Sequence, residues 1–214
     1  WYSATSVLPW EKGGPWGDGP RAILQMTVTY DDGTDERFVT DETWKASAGA
    51  IGSNQLVAGE AYDARNEKPN WNKVGYDDRQ WSNAAVRPAP EGGLRSQPVP
   101  SMKVQDTFKP TKMTKHADGG WLFEFDRYFS GWVRLKVKGK AGAKITIHYE
   151  LGEKDTYILK GDPEGETYEP RFTIHPVRYV RVEGLAGVPT LDTVQGREVY
   201  SDVDMHGSFN CSNA

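Results

Sequence analysis

The residues best suited to chemistry lie close together in the first half of the chain. Segment 59–65 reads Gly-Glu-Ala-Tyr-Asp-Ala-Arg and places two carboxylates, Glu60 and Asp63, near the guanidinium of Arg65. Two indoles follow at Trp71 and Trp81. Carboxylates that bind vicinal hydroxyls, with an indole that stacks on a sugar ring, would form a carbohydrate site. These five residues are therefore the candidate substrate-binding residues.

A structural role for the same segment competes with sugar binding. Arg65 can bridge Glu60 or Asp63 through paired hydrogen bonds, and the resulting knot would pin a loop to a β-sandwich. We favour this interpretation because buried polar groups must find partners wherever loops cross a sandwich. Glu60 and Asp63 are also the candidate metal ligands, since calcium prefers clustered oxygen atoms. No cofactor is expected to be required, and calcium is the one candidate.

Other reaction chemistries find little support in the sequence. The four histidines never stand at metal-binding spacing, and with Cys211 as the one cysteine a zinc site is not expected. The chain has neither a G-x-S-x-G serine motif nor a phosphate-binding glycine loop. The acidic pairs at 31–32 and 77–78 are interpreted as turn residues. A glycosidase needs two carboxylates at a set distance, and 30 acidic residues single out no such pair. No catalytic residue is therefore assigned.

Charge and composition argue against two classes of partner. The net charge is −4 and there is no basic block, so nucleic acid is not an expected partner. No apolar run approaches the roughly 20 residues that span a bilayer, so no membrane partner is expected. The 23 glycines and 13 prolines interrupt the chain often, as many short strands and turns require.

Alternating apolar residues predict an all-β protein. Residues 24–30 alternate, 31–34 form a turn and 37–40 return, which predicts a hairpin. Residues 60–82 are expected to be irregular. Further strands are predicted at 44–50, 121–125, 133–137, 143–149, 156–160, 171–174, 179–183 and 198–200. Because no segment has a sustained helical period, short strands at this spacing predict sandwich or jelly-roll architecture.

Proline and glycine divide the chain into two units, and the second contains an unusual indole. Residues 88–100 are rich in both and predict a linker. In the second unit, the strand alternation places Trp132 on the face of Arg134, opposite Val133 and Leu135. We interpret Trp132 as part of a contact between domains.

Together these segments resemble the bacterial α-L-rhamnosidases. Segment 59–65 is similar to the GExYDAR signature of that family. Further similarities run in the same order along nearly the whole chain, at residues 30–34, 40–45, 71–72, 76–81, 125–126, 129–135, 155–161, 170–172, 178–180 and 207–213. The glycine that the family has shortly after the aspartate of its second-unit segment is missing, and Arg127 and Tyr128 stand there instead.

The resemblance implies two β-sandwich (jelly-roll-like) modules. Residues 1–95 would be the C-terminal part of the N-terminal module, 96–206 a second, concanavalin-like module, and 207–214 the start of a linker to a catalytic (α/α)6 barrel. The first module is expected to be truncated at its N-terminus, because the family's module begins before the residues that match Trp1. The expected partners in cis are the barrel and those first strands.

The resemblance also frames the function. The leading hypothesis is a non-catalytic region of a rhamnosidase that supports the barrel and contacts a rhamnose-containing glycan. This fragment would be inactive alone, while its parent would be an inverting glycoside hydrolase. The alternative is a self-sufficient carbohydrate-binding module for L-rhamnose, with or without calcium. A third interpretation is a protein-interaction sandwich that recruits a partner at an unpaired sheet edge.

Overall fold

A computed structural model describes residues 22–88, 93–204 and 206–212 of the 214-residue chain. In these ranges the strands are β1 (Gln25–Thr29), β2 (Asp35–Val39), β3 (Lys45–Ala46), β4 (Ile51–Gln55), β5 (Gly59–Asp63), β6 (Ser82–Asn83), β7 (Met102–Phe108), β8 (Lys112–Lys115), β9 (Trp121–Val137), β10 (Lys144–His148), β11 (Lys154–Ile158), β12 (Glu166–Tyr168), β13 (His175–Glu183) and β14 (Val194–Ser201).

The described residues confirm the predicted all-β, sandwich-like class. Their helical structure is limited to two 3₁₀ turns, at Ala64–Asn66 and Leu191–Thr193. In the same residues no helix is long and apolar enough to cross a membrane. The alternation of apolar and polar residues, rather than any helical period, therefore determines how this chain folds.

The predicted hairpin is formed by β1 and β2. The two strands pair antiparallel, with Met26 opposite Phe38. Gly33 adopts a φ of 80°, and the Asp32 carboxylate accepts hydrogen bonds from the backbone N–H (2.9 Å) and hydroxyl (2.7 Å) of Thr34. These bonds lower the pKa of Asp32, with the Thr34 hydroxyl contributing most. The interpretation of the 31–32 pair as turn residues is thus confirmed at Asp32.

The longest strand, β9, organises the large sheet. The sheet has the order β4-β5-β11-β10-β13-β9-β14-β7, and β8 and β12 also pair with β9. Residues 121–124 of β9 pair with β8 and β13, whereas residues 131–137 pair with β14 and then β12. Because β9 changes partners along its length while its odd-numbered residues stay buried from 129 to 137, the sheet curls around one core.

That core is aliphatic and aromatic. Phe123, Val133, Leu135, Ile147 and Val180 have at most trace exposure and belong to one continuous cluster. Burial of such side chains supplies the main driving force for folding. At one end, three rings meet edge to face with centroids 4.8–5.7 Å apart: Phe108, Phe125 and Phe129. Strand alternation thus places a single apolar face inward.

The expectation that residues 60–82 are irregular was wrong at its start, because Gly59–Asp63 is β5. The alternation was hidden by a charged residue at an inward position, Glu60. Strand β5 lies between β4 and β11 and so belongs to the large sheet. The division into 1–95 and 96–206 stays a prediction, but β5 of the first unit hydrogen-bonds with β11 of the second.

Two further strand predictions need correction. Residues 171–174 are not a strand and instead lead from β12 to β13. Within them, the Thr173 hydroxyl donates a hydrogen bond to the carbonyl oxygen of Leu56 at 3.0 Å. Within 44–50 only Lys45–Ala46 pairs, with β6. The expected truncation at Trp1 falls on residues 1–21, which lie outside the described residues, as does part of the predicted linker, residues 89–92.

Gly131 is the tightest point of the core and gives a direct test of the fold. It pairs with β13 on one side and β14 on the other, and a Cβ there would overlap the carbonyl oxygen of Arg197. Gly131→Ala should therefore lower the free energy of unfolding by about 3 kcal/mol, the upper range for overpacking. Urea denaturation measures this loss. The control is Gly49→Ala, since a Cβ at Gly49 meets no atom within 4 Å. Equal stability of the two variants would contradict this packing.

Candidate functional site

Strand β5 positions the candidate carboxylates on opposite sides of the sheet. Glu60 and Tyr62 are buried, whereas Gly59, Ala61 and Asp63 are partly exposed in alternation with them. Side chains two apart share a face in a strand, and those three apart do not. The structure therefore does not bring Glu60 and Asp63 together in one site.

Gly59 lets β5 approach β11 closely. Its φ is 111°, and a Cβ at this position would overlap the carbonyl oxygen of Lys154. The close approach allows the backbone N–H of Glu60 to donate to Oδ1 of Asp155 at 2.8 Å. Beyond this point β5 and β11 run parallel, with Tyr62 beside Tyr157. The glycine of segment 59–65 is thus needed for backbone packing.

The side chain of Glu60 lies inside the protein and is surrounded by donors. It is 2% exposed. Its Oε1 accepts from the hydroxyl of Tyr168 at 3.2 Å, and its Oε2 accepts from the backbone N–H of Arg171 at 3.3 Å and the amide of Asn54 at 3.4 Å. Burial raises the pKa of Glu60, aided by the charge of Asp155, against the opposing hydrogen bonds. Glu60 is therefore an internal hydrogen-bond acceptor.

Asp155 is the partner that sequence reasoning missed. It is fully buried, and its Oδ2 accepts from the Tyr149 hydroxyl at 2.8 Å and lies 3.5 Å from Nε2 of His175. The His175 ring stacks on Tyr149 with centroids 3.8 Å apart, and its Nε2 is 3.0 Å from the Thr173 hydroxyl. The available signal was a charged residue at an inward position of an alternating strand, since Asp155 shares its face with the buried Tyr157.

The predicted bridge by Arg65 forms with Asp63. Nε of Arg65 donates to Oδ1 at 2.9 Å and Nη2 donates to Oδ2 at 2.7 Å. Asp63 Oδ1 also accepts from the backbone N–H of Arg65 and caps the 3₁₀ turn at Ala64–Asn66. The Arg65 side chain is about half exposed, and its hydrogen bonds lower the pKa of Asp63. Asp63 and Arg65 thus stabilise the turn that follows β5.

A second carboxylate missed in the sequence, Glu166, anchors the loop before β12. It accepts from the Tyr157 hydroxyl at 2.6 Å and from the backbone N–H groups of Lys160 (3.0 Å), Gly161 (2.8 Å) and Asp162 (3.1 Å). Burial alone would raise the pKa of Glu166, but these four hydrogen bonds outweigh it and lower the pKa. This arrangement favours the ionised form of Glu166.

The two candidate indoles form a cluster of their own. Trp71 and Trp81 have ring centroids 6.5 Å apart, and Tyr76 meets Trp81 edge to face at 5.7 Å. Trp71 is 61% exposed. Among the described residues, no hydrogen bond, ion pair or ring contact joins either indole to Glu60, Asp63 or Arg65.

The turn role proposed for 77–78 is confirmed at Asp77, which accepts from the backbone N–H of Arg79 at 3.2 Å.

The part of the chain that the structure describes holds no preformed cluster of metal-binding side chains. No group of three or more His, Cys, Asp or Glu side chains in this part of the protein is placed to hold a metal ion. Calcium at Glu60 and Asp63 stays a prediction. The hydrogen bonds around Glu60 satisfy buried polar groups where β5, β11 and the residues before β13 meet.

Substitution of Glu60 separates its hydrogen bonds from its charge. Glu60→Ala should lower the free energy of unfolding by roughly 3 kcal/mol, because Tyr168 and the Arg171 N–H lose a buried acceptor. Glu60→Gln should cost less than about 1 kcal/mol, since its amide oxygen can accept from the N–H groups while its NH₂ donates to the Tyr168 hydroxyl. Chemical denaturation of both variants at neutral pH checks this; equal losses would contradict the assigned hydrogen bonds.

The raised pKa of Glu60 predicts a pH dependence. The folded protein holds the carboxyl proton of Glu60 more tightly than the unfolded chain does. The resulting stabilisation of the fold is complete at pH values below the unfolded pKa, and it is lost as the pH rises through the folded pKa. Glu60→Gln does not titrate here. Its free energy of unfolding relative to wild type should therefore increase as the pH rises above the ordinary carboxyl pKa of about 4.3. A difference that stays constant or decreases with pH would contradict a raised pKa.

Comparison with known proteins agrees with this architecture. The family described as "Alpha-L-rhamnosidase N-terminal domain" matches residues 1–106, and the "Bacterial alpha-L-rhamnosidase concanavalin-like domain" matches residues 150–200. The chain is 36% identical to an alpha-L-rhamnosidase of Streptomyces avermitilis, with 91% of this chain and 20% of the relative covered. It is 33% identical to one of Formosa agariphila, covering 91% and 22%.

Solved structures give the same result. The alpha-L-rhamnosidase of Dictyoglumus thermophilum superposes with a TM-score of 0.86 at 38% identity, covering 93% of this chain and 24% of that one. The Streptomyces avermitilis enzyme, solved with L-rhamnose, gives 0.78 at 35% identity, covering 84% and 19%. The chain spans about a fifth to a quarter of the length of these relatives. It therefore belongs to the alpha-L-rhamnosidase family and contains that family's N-terminal and concanavalin-like domain sequences.

Proposed function

We propose that this chain is the non-catalytic β-sandwich region of an alpha-L-rhamnosidase and that it supports a catalytic domain of its parent protein. The observation that carries the proposal is that the charged side chains of segment 59–65 are engaged in internal contacts. Glu60 is buried among fixed donors, and Asp63 is held bidentately by Arg65. Glu60 thus builds the sheet junction, while Asp63 and Arg65 hold the turn that follows β5.

The geometry argues against hydrolysis at this segment. Glycosidases place two carboxyl groups on either side of one bond, with the pKa of the general acid raised. Glu60 and Asp63 point to opposite faces of β5. The more exposed of the two, Asp63, has a lowered pKa because of Arg65 and so is poorly suited to donate a proton.

The same network makes the region a rigid support. Buried polar groups that hydrogen-bond to one another limit how the elements that carry them can move. Here they connect β5, β11 and the start of β13 through Glu60, Asp155 and His175. A neighbouring domain that packs on this sheet would meet a surface whose strands are fixed relative to one another.

A self-sufficient carbohydrate-binding module is the second candidate. One observation favours it, the 61% exposure of Trp71 beside Trp81, because exposed indoles stack on sugar rings. The carboxylates predicted to complete that site are engaged elsewhere. The candidate sugar site therefore reduces to the indole pair. Titration of the chain with methyl α-L-rhamnoside, followed by NMR of the indole N–H resonances of Trp71 and Trp81, tests this alternative.

The absence of catalysis is tested directly. Purified chain incubated with an aryl α-L-rhamnoside should release the aryl group at the rate of buffer, since the described carboxylates of segment 59–65 do not face one cleft. The full-length Streptomyces avermitilis enzyme is the positive control. Hydrolysis above buffer that co-purifies with the chain and is lost in Glu60→Gln would contradict the proposal.

A further inference from the structure

Arginines gather on the outer face of the large sheet where β9 and β14 lie side by side. Trp132 and Arg134 share one face of β9, and Arg197 of β14 pairs directly with Trp132. Because cross-strand partners lie on the same face, the indole and both guanidiniums form one surface. With Glu169 and Arg171, which line an adjoining cleft beside Trp132, they make up the arginine surface. We infer that the arginine surface docks an acidic segment of the parent protein's catalytic domain.

A single carboxylate serves the three arginines of this surface. Glu169 accepts from Nε of Arg197 at 3.0 Å and from Nη2 of Arg134 at 3.5 Å. Among the described residues, the guanidinium of Arg171 forms no ion pair and lies 5.1 Å from the centroid of the Tyr62 ring. Three guanidiniums against one carboxylate leave a surplus of two positive charges. Charge complementarity therefore favours a partner that brings carboxylates.

The other acidic groups near the cleft do not offset this surplus. Glu67 also lines the cleft, but it accepts from Nζ of Lys160 at 2.9 Å, so its charge is already balanced. Glu60 is buried beneath and accepts from the backbone N–H of Arg171. The positive charge of the arginine surface thus stays available to a partner.

Partial burial strengthens the attraction that this surface exerts. The side chains of Arg134 and Arg197 are 26% and 17% exposed. Water and salt screen charges less at such positions than on an open surface. Nε1 of Trp132 donates to Glu169 at 3.1 Å, which holds the indole beside the arginines. A fixed indole among guanidiniums has the composition of protein–protein contact surfaces, in which Trp and Arg are enriched.

The course of the chain favours the catalytic domain as the source of the acidic segment. Strand β14 ends at Ser201, four residues after Arg197, so the chain leaves the sheet about 13 Å from the arginine surface. The family's N-terminal domain matches residues 1–106, and we therefore expect a catalytic domain to follow β14. A domain tethered so close meets the surface at high effective concentration. This step rests on the proposed function, which assigns such a domain to the parent.

A cross-link without a spacer tests the inference in the full-length parent protein. Arg134→Lys keeps a positive charge beside Glu169 and supplies an amine, which a carbodiimide joins to a carboxylate in direct contact. Mass spectrometry of the digest should find residue 134 linked to an aspartate or glutamate beyond residue 214. An internal link to Glu169 should form in the parent and in the 214-residue chain alike, and it shows that the coupling works.

Removal of one positive charge separates docking from chance contact. Arg171→Gln, added to Arg134→Lys, keeps the backbone bond to Glu60 but reduces the surplus charge. The yield of the link beyond residue 214 should fall roughly threefold. Arg37→Gln, at an exposed position of β2, is the matched control and should leave the yield unchanged.

Three results would overturn the inference: equal yields in these two variants, a link from residue 134 to a second molecule of the parent, or no link beyond the one to Glu169. If other lysines of this chain link to the catalytic domain while residue 134 does not, the domain docks elsewhere and the support role stands. If no link joins the two parts of the parent, the support role is contradicted as well.

Discussion

The hydrogen bond from the backbone of Glu60 to the buried carboxylate of Asp155 is the contact on which the organisation of this chain depends. It joins residues 95 positions apart and requires Gly59, because any side chain there would overlap β11. It brings β5 into parallel register with β11 and so attaches β4 and β5 to the strands that follow residue 100. Sequence segments assigned to two units therefore share one sheet.

Because this contact is buried, its carboxylate must find hydrogen-bond donors inside the protein. A buried carboxylate that lacks partners costs several kcal/mol, and its removal from a satisfied network leaves other groups unpaired. Glu60 and Asp155 meet that demand with donors from distant segments of the chain, and Glu166 meets it with donors four to nine residues before it. The charged residues of segment 59–65 are thereby explained as elements of the fold, although the family in which they occur hydrolyses glycosides. Function in such a family can depend on residues that never meet the substrate.

Local patterns in the sequence predicted local structure well. The hairpin of β1 and β2, the outward position of Trp132 and the ion pair within segment 63–65 all follow from residues close together in the chain. The sequence did not predict that Gly59–Asp63 is a strand, because Glu60 interrupts the apolar alternation. It also could not identify Asp155 as the partner, since a contact between residues so far apart depends on the register of β5 on β11. The acidic cluster with two indoles was therefore read as one candidate site, whereas the structure divides it among the core, a turn and a separate aromatic cluster.

The most direct measurement of the central claim is hydrogen exchange at the amides of Glu60 and Asp63. These donate to Asp155 and to the carbonyl oxygen of Ala50. If β5 is an integral strand of the large sheet, both amides should exchange as slowly as those of β10 and β13, through the same global unfolding. Exchange at the rate of the separate β1–β2 hairpin would contradict the claim that this segment exists to join the two parts of the chain.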